Sequence, residues 1–263
     1  MMNMKQYFAP IIAMLAILTF TLSPAAGQAI DHNAAPNSLY KPPGSGPFPA
    51  VILLHGGRGR LDQAKRWAEE LKGWGYVAHV FRSREAVYEH GTSFTDHVSS
   101  RSDDVLSAYA YVSDLPFVDK NRIGLMGFSI GGVIILNVMS DQPLRPGQAV
   151  VKLFRAAIAF YPTCRLALEQ NASYSVPVKI LIGEDDTIGT PDQCKSLVES
   201  NRGRKNSLEI KIFPNATHVF DIPRNSPRRY RRRHVLAYSP KAHQESKAEV
   251  RKFFNMYLGA RRQ

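Results

Sequence analysis

Six consecutive residues, Gly127-Phe128-Ser129-Ile130-Gly131-Gly132, combine a hydroxyl nucleophile with the small residues that a very tight turn requires. The spacing Gly-x-Ser-x-Gly fits a strand-to-helix elbow, in which glycine lets the backbone pass close to its neighbours. Such a turn holds its serine in a strained conformation with Oγ clear of the sheet. The N–H groups that open the following helix point at the same spot and can stabilise a developing anion. A serine hydroxyl is a weak nucleophile at neutral pH. The chemistry therefore also needs an imidazole to take the proton and a carboxylate to hold the imidazole. Taken alone, the pattern also fits a glycine-rich turn with an incidental serine, so the partners must come from the rest of the chain.

Hydrophobic patterning supplies the elements that would carry them. Apolar runs at 50–54, 76–81, 122–126, 156–160, 178–182 and 208–213 read as strands, with a short edge strand at 38–41. Helical spacing follows at 62–72, with Ala64, Trp67, Ala68 and Leu71 on one face, and at 133–139 after the elbow. A long polar loop over 82–100 leads to a helix on which Val105, Leu106, Tyr109 and Val112 share a face. Pro191 starts another helix, and 241–258 forms a terminal one. Strand and helix alternate, which predicts an α/β fold with a mostly parallel central sheet flanked by helices. In such a sheet, ligands bind beyond the carboxyl ends of the strands. Those ends carry His55-Gly56-Gly57, Ser129, Asp185-Asp186 and His218.

Ser129, Asp186 and His218 thus appear in the order nucleophile, acid, base, each just after a strand. Of the eight histidines, only His218 follows the last strand with its own turn. Asp186 stands three residues beyond Gly183 and is the expected acid, with Asp185 kept as the alternative. The expected oxyanion donors are the backbone N–H groups of Ile130, next to the nucleophile, and Gly57, in the turn after the first long strand. His90, Asp96 and His97 lie close in sequence but lack a metal-ligand spacing, and they read as a polar lid. No nucleotide-binding motif is present, and neither metal nor cofactor is called for.

Length and composition set the wider frame. The chain has 263 residues, enough for one large domain over 30–263. Residues 1–29 read as a secretory signal peptide: Lys5, an apolar run, then small residues suited to cleavage. Export to the periplasm or beyond is expected, and no later segment is apolar enough to span a membrane. In an oxidising compartment Cys164 and Cys194, the two cysteines, are expected to pair, the alternative being two separate buried thiols. The formal charge of +12 is partly local, since 228–233 holds five arginines in six residues. That run reads either as a contact for polyanions or acidic substrates or as a solvated loop, and export argues against nucleic acid.

At this point the sequence resembles the dienelactone hydrolase family of the α/β-hydrolases. The resemblance runs from about Tyr40 to Leu258 and rests on four stretches: 46–56, 117–129, 181–186 and 213–221, the last (Phe-Pro-Asn-Ala-Thr-His-Val-Phe-Asp) being the most specific. It implies an α/β-hydrolase fold whose nucleophile, acid and base match Ser129, Asp186 and His218. The founding members use a cysteine nucleophile. Serine here points to a small-molecule ester or lactone as substrate rather than to dienelactone itself. Where relatives carry Gly-Trp-Ser-His-Gly-Gly, Phe128 and Ile130 imply a more apolar wall. Exported members often have a cysteine pair resembling Cys164 and Cys194, and Arg84 and Arg101 match arginines expected to form structural ion pairs. Peptidase or acyltransferase activity on the same fold is an alternative. A reading from another class is a non-catalytic binder of anionic envelope material through the arginine run.

Overall fold

The apolar runs form a seven-stranded sheet in the computed structural model, which describes residues 39–83, 92–145, 152–204, 208–225, 228–231 and 233–259. The expected signal peptide, Arg84, His90 and Arg232 lie outside the described residues. Contacts divide the chain into Met1–Asp31 and His32–Gln263, and every described residue belongs to the second unit.

The strands are β1 (Leu39–Tyr40), β2 (Phe48–Leu54), β3 (Val77–Phe81), β4 (Val118–Phe128), β5 (Ala157–Phe160), β6 (Val178–Gly183) and β7 (Leu208–Phe213). Their spatial order is β1-β3-β2-β4-β5-β6-β7. Only β1 runs antiparallel to its neighbour. Strands covered by helices on both faces need no polar alternation. Accordingly Val51, Ile52 and Leu53 are completely buried, each such side chain contributing about 1.5–3 kcal/mol over the exposed state. The chain passes from β2 to β3 on one side and returns to β4 on the other. This puts the topological switch point between β2 and β4, where ligands bind in sheets of this kind. Leu54 pairs with Gly127, so both strands end at the same level.

The helices are α1 (Asp62–Gly73), α2 (Phe94–Ser113), α3 (Ile130–Val138), α4 (Arg165–Glu169), α5 (Pro191–Ser200) and α6 (Pro240–Leu258). On α1, Ala64, Trp67, Ala68 and Leu71 are buried at helical spacing, and Trp67 meets His243 of α6. Residues 131–138 of α3 are buried on all sides, because α2 covers the face turned away from the sheet. α2 begins earlier than expected and takes in much of the predicted polar loop. Ser93 Oγ accepts from the N–H of Asp96 and caps it. Asp96 and His97 therefore lie in its first turn, and His97 is buried. Polar residues in that turn masked the helical period, which shows only from Val98 onward.

Part of the arginine run, which reads in the sequence as a contact for polyanions or acidic substrates or as a solvated loop, pairs as an antiparallel hairpin, β8 (Arg229–Arg231) with β9 (His234–Leu236). The N–H groups of Ala237, Tyr238 and Ser239 donate to Thr217 Oγ1, the Asn225 carbonyl and the Phe220 carbonyl, tying the hairpin's return to the loop after β7. Cys164 and Cys194 form a disulfide (S–S 2.00 Å) that joins the turn after β5 to α5. No helix among the described residues is long and apolar enough to cross a membrane.

Candidate active site

The elbow fits because two backbones nearly touch. A Cβ on Gly131 would stand 2.5 Å from the Leu54 carbonyl oxygen and 2.8 Å from that of His55. Only glycine lets α3 start so close to the end of β2. Ser129 itself has φ 53° and ψ −115°, a conformation that costs roughly 1–3 kcal/mol in a non-glycine residue. Its N–H donates to the Phe160 carbonyl at 2.9 Å, and its carbonyl accepts from Val133 N–H at 3.1 Å. The strain is thereby held from both sides, by the neighbouring strand and by the helix it opens.

Two further loops converge on the serine. After β7 the chain turns through His218, whose Nε2 lies 3.0 Å from Ser129 Oγ. His218 Nδ1 lies 2.8 Å from Asp186 Oδ2, in the loop after β6. An ionised carboxylate can only accept, so Nδ1 carries the proton and Nε2 is left to accept the serine O–H. The other carboxylate oxygen, Asp186 Oδ1, accepts from the N–H groups of Ile188 (2.8 Å) and Gly189 (2.7 Å). Asp186 and His218 are 2% and 5% exposed, so water does not compete for these bonds. The two loops are also joined directly, since Glu184 and Asp185 N–H donate to the carbonyls of Phe213 and Ala216. Asp185 is exposed while Asp186 is buried against His218.

Ser129 and His218 open into a cleft of about 440 Å³, whose lining also includes Gly57 and Ile130, the expected oxyanion donors. Ile130 starts α3, and Gly57 starts a single 3-10 turn, Gly57–Gly59, that continues β2. The wall is apolar at Ile188, Val219, Ile222 and Leu236 and cationic at Arg60, Arg224 and Arg229. None of the described lining residues is acidic. Depressions of about 510 Å³ along α1 and α6 and about 900 Å³ near the start of β2 are lined by no serine–histidine pair.

His55, at the end of β2, stays outside the cleft chemistry. Its Nδ1 donates to the Gly56 carbonyl at 2.6 Å, and Nε2 accepts from Ser83 N–H at 3.3 Å. Burial, followed by the charge of Arg101, lowers its pKa to about 4, so the ring is neutral. Arg101 donates to the His55 carbonyl at 3.2 Å and makes no salt bridge among the described residues, unlike the ion pair the resemblance implied. Burial lowers its own pKa to about 10, a drop that Asp104 opposes. No group of three or more His, Cys, Asp or Glu converges as a metal site among the described residues.

Sequence reasoning missed the buried cluster behind His218. Asp221 accepts from Gln63, Trp67 and Tyr161, and the Tyr161 ring edge packs on His218. Asp221 closes the last quoted stretch and Tyr161 follows the apolar run at 156–160, but Gln63 and Trp67 come from the opposite end of the chain. No spacing rule links them.

A family model described as the dienelactone hydrolase family matches residues 36–258. No curated protein matches the chain. Among solved structures, the Pyrococcus furiosus esterase Pf2001 is similar at 19% identity and TM-score 0.60, over 80% of this chain and 84% of that one. A putative dienelactone hydrolase from Klebsiella pneumoniae is similar at 19% identity and TM-score 0.59, over 81% and 89%. Thermogutta terrifontis esterase 2, phosphorylated by paraoxon, is similar at 19% identity and TM-score 0.59, over 83% and 86%. At these identities the structural likeness speaks for the α/β-hydrolase fold.

Proposed function

Because the chain belongs to the dienelactone hydrolase family and is a hydrolase acting on ester bonds, we propose that it cleaves carboxylic esters or lactones through an acyl-enzyme on Ser129. His218 takes the serine proton as Oγ attacks the carbonyl carbon, and then delivers it to the leaving alcohol. A water molecule next loses its proton to His218, attacks the acyl-enzyme and frees the acid. Asp186 keeps the proton on Nδ1 and stabilises the imidazolium that forms in each step. The N–H groups of Ile130 and Gly57 receive the oxyanion, and one such donor is worth about 10²–10³-fold in kcat. The observation that carries this reading is the unbroken chain from Oγ to Nε2 (3.0 Å) and from Nδ1 to Asp186 (2.8 Å) at the mouth of a cleft.

The test compares wild type with Ser129→Ala, both folded, for labelling by paraoxon and turnover of nitrophenyl esters. Paraoxon is apt because it phosphorylates the Thermogutta esterase of the same fold. Labelling and turnover by wild type alone support the reading, and a wild type inert to both overturns it. Ester turnover without peptide turnover separates it from a peptidase. The leader-like residues 1–29 and the disulfide support an exported, periplasmic or secreted protein with its domain over 30–263. Fractionation of the full chain, with the size of the mature form, tests that assignment.

A specific observation also favours acidic substrates. Arg60 and Arg229 line the cleft, beside Arg224, whose charge is offset by an ion pair to Asp62 at 3.0 Å, and Arg228 and Arg233 extend the same charge along the hairpin. Such a field raises the local concentration of anions and weakens with salt. Hydrolysis of a nitrophenyl hemiester of glutaric acid should exceed that of the neutral butyrate at low salt, and Arg229→Gln should narrow the gap. Equal salt dependence for the two esters overturns this preference. Polyanion binding that survives Ser129→Ala, in a protein without turnover, would favour the binder instead.

A further inference from the structure

Behind the base, side chains from three parts of the chain, α1, the end of β5 and the loop after β7, meet at one buried carboxylate. Asp221 is 1% exposed. Its Oδ1 accepts from Gln63 Nε2 at 2.8 Å and Tyr161 Oη at 2.9 Å, and its Oδ2 from Gln63 Nε2 at 2.7 Å and Trp67 Nε1 at 2.7 Å. All the donors are neutral. A carboxylate takes every one of these bonds without presenting a donor of its own, which no amide or hydroxyl can do.

The cluster touches the catalytic machinery on two sides. Tyr161 is completely buried, and its ring meets His218 edge-on, with centroids 4.8 Å apart at 61°. Gln63 forms part of the cleft wall. The backbone between His218 and Asp221 passes through Val219 at φ 56°, the left-handed region that a β-branched residue rarely enters. Tyr161 is held at φ 38° in the same region. Such conformations persist only where the surroundings over-determine them. Asp221, two residues beyond Val219, anchors this turn through side-chain bonds, beside the bonds that Ile222 N–H (3.2 Å) and Asn225 Nδ2 (3.3 Å) give to the Val219 carbonyl. Its bonds to α1 and to the end of β5 stop the turn from relaxing and carrying His218 away from Ser129.

We propose that Asp221 is a positioning residue for His218, acting through the Val219 turn and through the Tyr161 ring. The proposal rests on the reading of His218 as the base. Asp221 touches no reacting atom, and its contribution is the register of Nε2 on Oγ.

The experiment measures nitrophenyl butyrate turnover for wild type, Asp221→Ala and Tyr161→Phe, with kcat expressed per paraoxon-titrated site. Asp221→Ala frees the turn, and displacing the base by a fraction of an ångström to 1 Å predicts a loss of up to about 10²-fold in kcat with KM unchanged. Tyr161→Phe keeps the ring against His218 but cuts its tether to Asp221. It should lower kcat several-fold, again without a change in KM, and this conservative variant decides the matter if Asp221→Ala does not fold. A folded variant with wild-type kcat per site, or a loss confined to KM, overturns the proposal. A wild type inert to both probes overturns the underlying reading instead, and the proposal with it.

Discussion

Asp186→Asn gives the most demanding check on the catalytic assignment, because the structure dictates how the substituted amide must lie. Oδ1 of Asp186 accepts from two backbone N–H groups, those of Ile188 and Gly189, at 2.8 and 2.7 Å. An amide nitrogen there would face two donors, so the amide oxygen must take that position. The –NH₂ then occupies the place of Oδ2, 2.8 Å from His218 Nδ1. It can only donate, which forces Nδ1 to accept and moves the imidazole proton to Nε2. That proton points at Ser129 Oγ and removes the lone pair that should receive the serine proton. Geometry is preserved while the tautomer is wrong, and the expected loss is about 10³–10⁴-fold in kcat, or roughly 4–5.5 kcal/mol of barrier. KM and the thermal midpoint should change little. The assay is steady-state nitrophenyl ester hydrolysis beside Asp185→Asn, whose exposed side chain takes no part in the array and whose kcat should match wild type. Retention of kcat within about tenfold by Asp186→Asn, against the loss expected for a wrong tautomer, would refute the reasoning. So would a comparable loss in Asp185→Asn.

Three further outcomes are expected. Gly131→Ala places a methyl 2.5 Å from the Leu54 carbonyl, and should cost about 1–3 kcal/mol or more and abolish paraoxon labelling; a stable, fully labelled variant would show that the elbow can relax. Replacing both Cys164 and Cys194 by alanine opens a bridge between residues 30 apart in sequence and should lower unfolding free energy by about 3–4 kcal/mol in urea; an unchanged urea midpoint would count against a stabilising bridge. His55, held at about 4 when folded, takes up its proton more readily in the unfolded chain, at about 6.5. Stability from this residue is therefore complete above about pH 6.5 and declines toward pH 4, by up to about 3 kcal/mol. Urea midpoints across that range should fall more steeply for wild type than for His55→Gln, and parallel curves would exclude His55 as the cause.

The sheet, its parallel sense and the strand ends at Ser129, Asp186 and His218 were legible because each depends on local pattern: apolar runs of strand length, glycine spacing, chain order. The expectation of Asp186 rather than Asp185 came from counting along one loop, and Asp186 is the one that lies 2.8 Å from His218 Nδ1. The start of α2 was hidden because Thr95 and Asp96 satisfy a capped first turn without any apolar period. The hairpin was hidden for a related reason. Arginines carry no alternation of apolar and polar faces, and the pairing of Arg229 with Leu236 is specified by backbone bonds. The Asp221 cluster was beyond reach for another reason. Its members are brought together by the packing of α1 against the end of β5 and the loop after β7, and burial converts an ordinary aspartate into a hub.

The closure of the hairpin has a consequence for how this scaffold can be altered. Its outgoing end at Asn225 and its returning end at Tyr238 are joined by a backbone hydrogen bond of 3.4 Å, and flanking bonds fasten the return to Thr217 and Phe220. The described residues between, 228–231 and 233–237, thus form a cassette that follows His218 and takes no part in the seven-stranded sheet. Exchanging it for a longer, shorter or neutral segment carries only a small loop-closure cost, since that term grows slowly with length. Arg229 and Leu236 nevertheless form part of the cleft wall. Substrate preference can therefore diverge, in nature or by grafting, while Ser129, Asp186 and His218 stay in place.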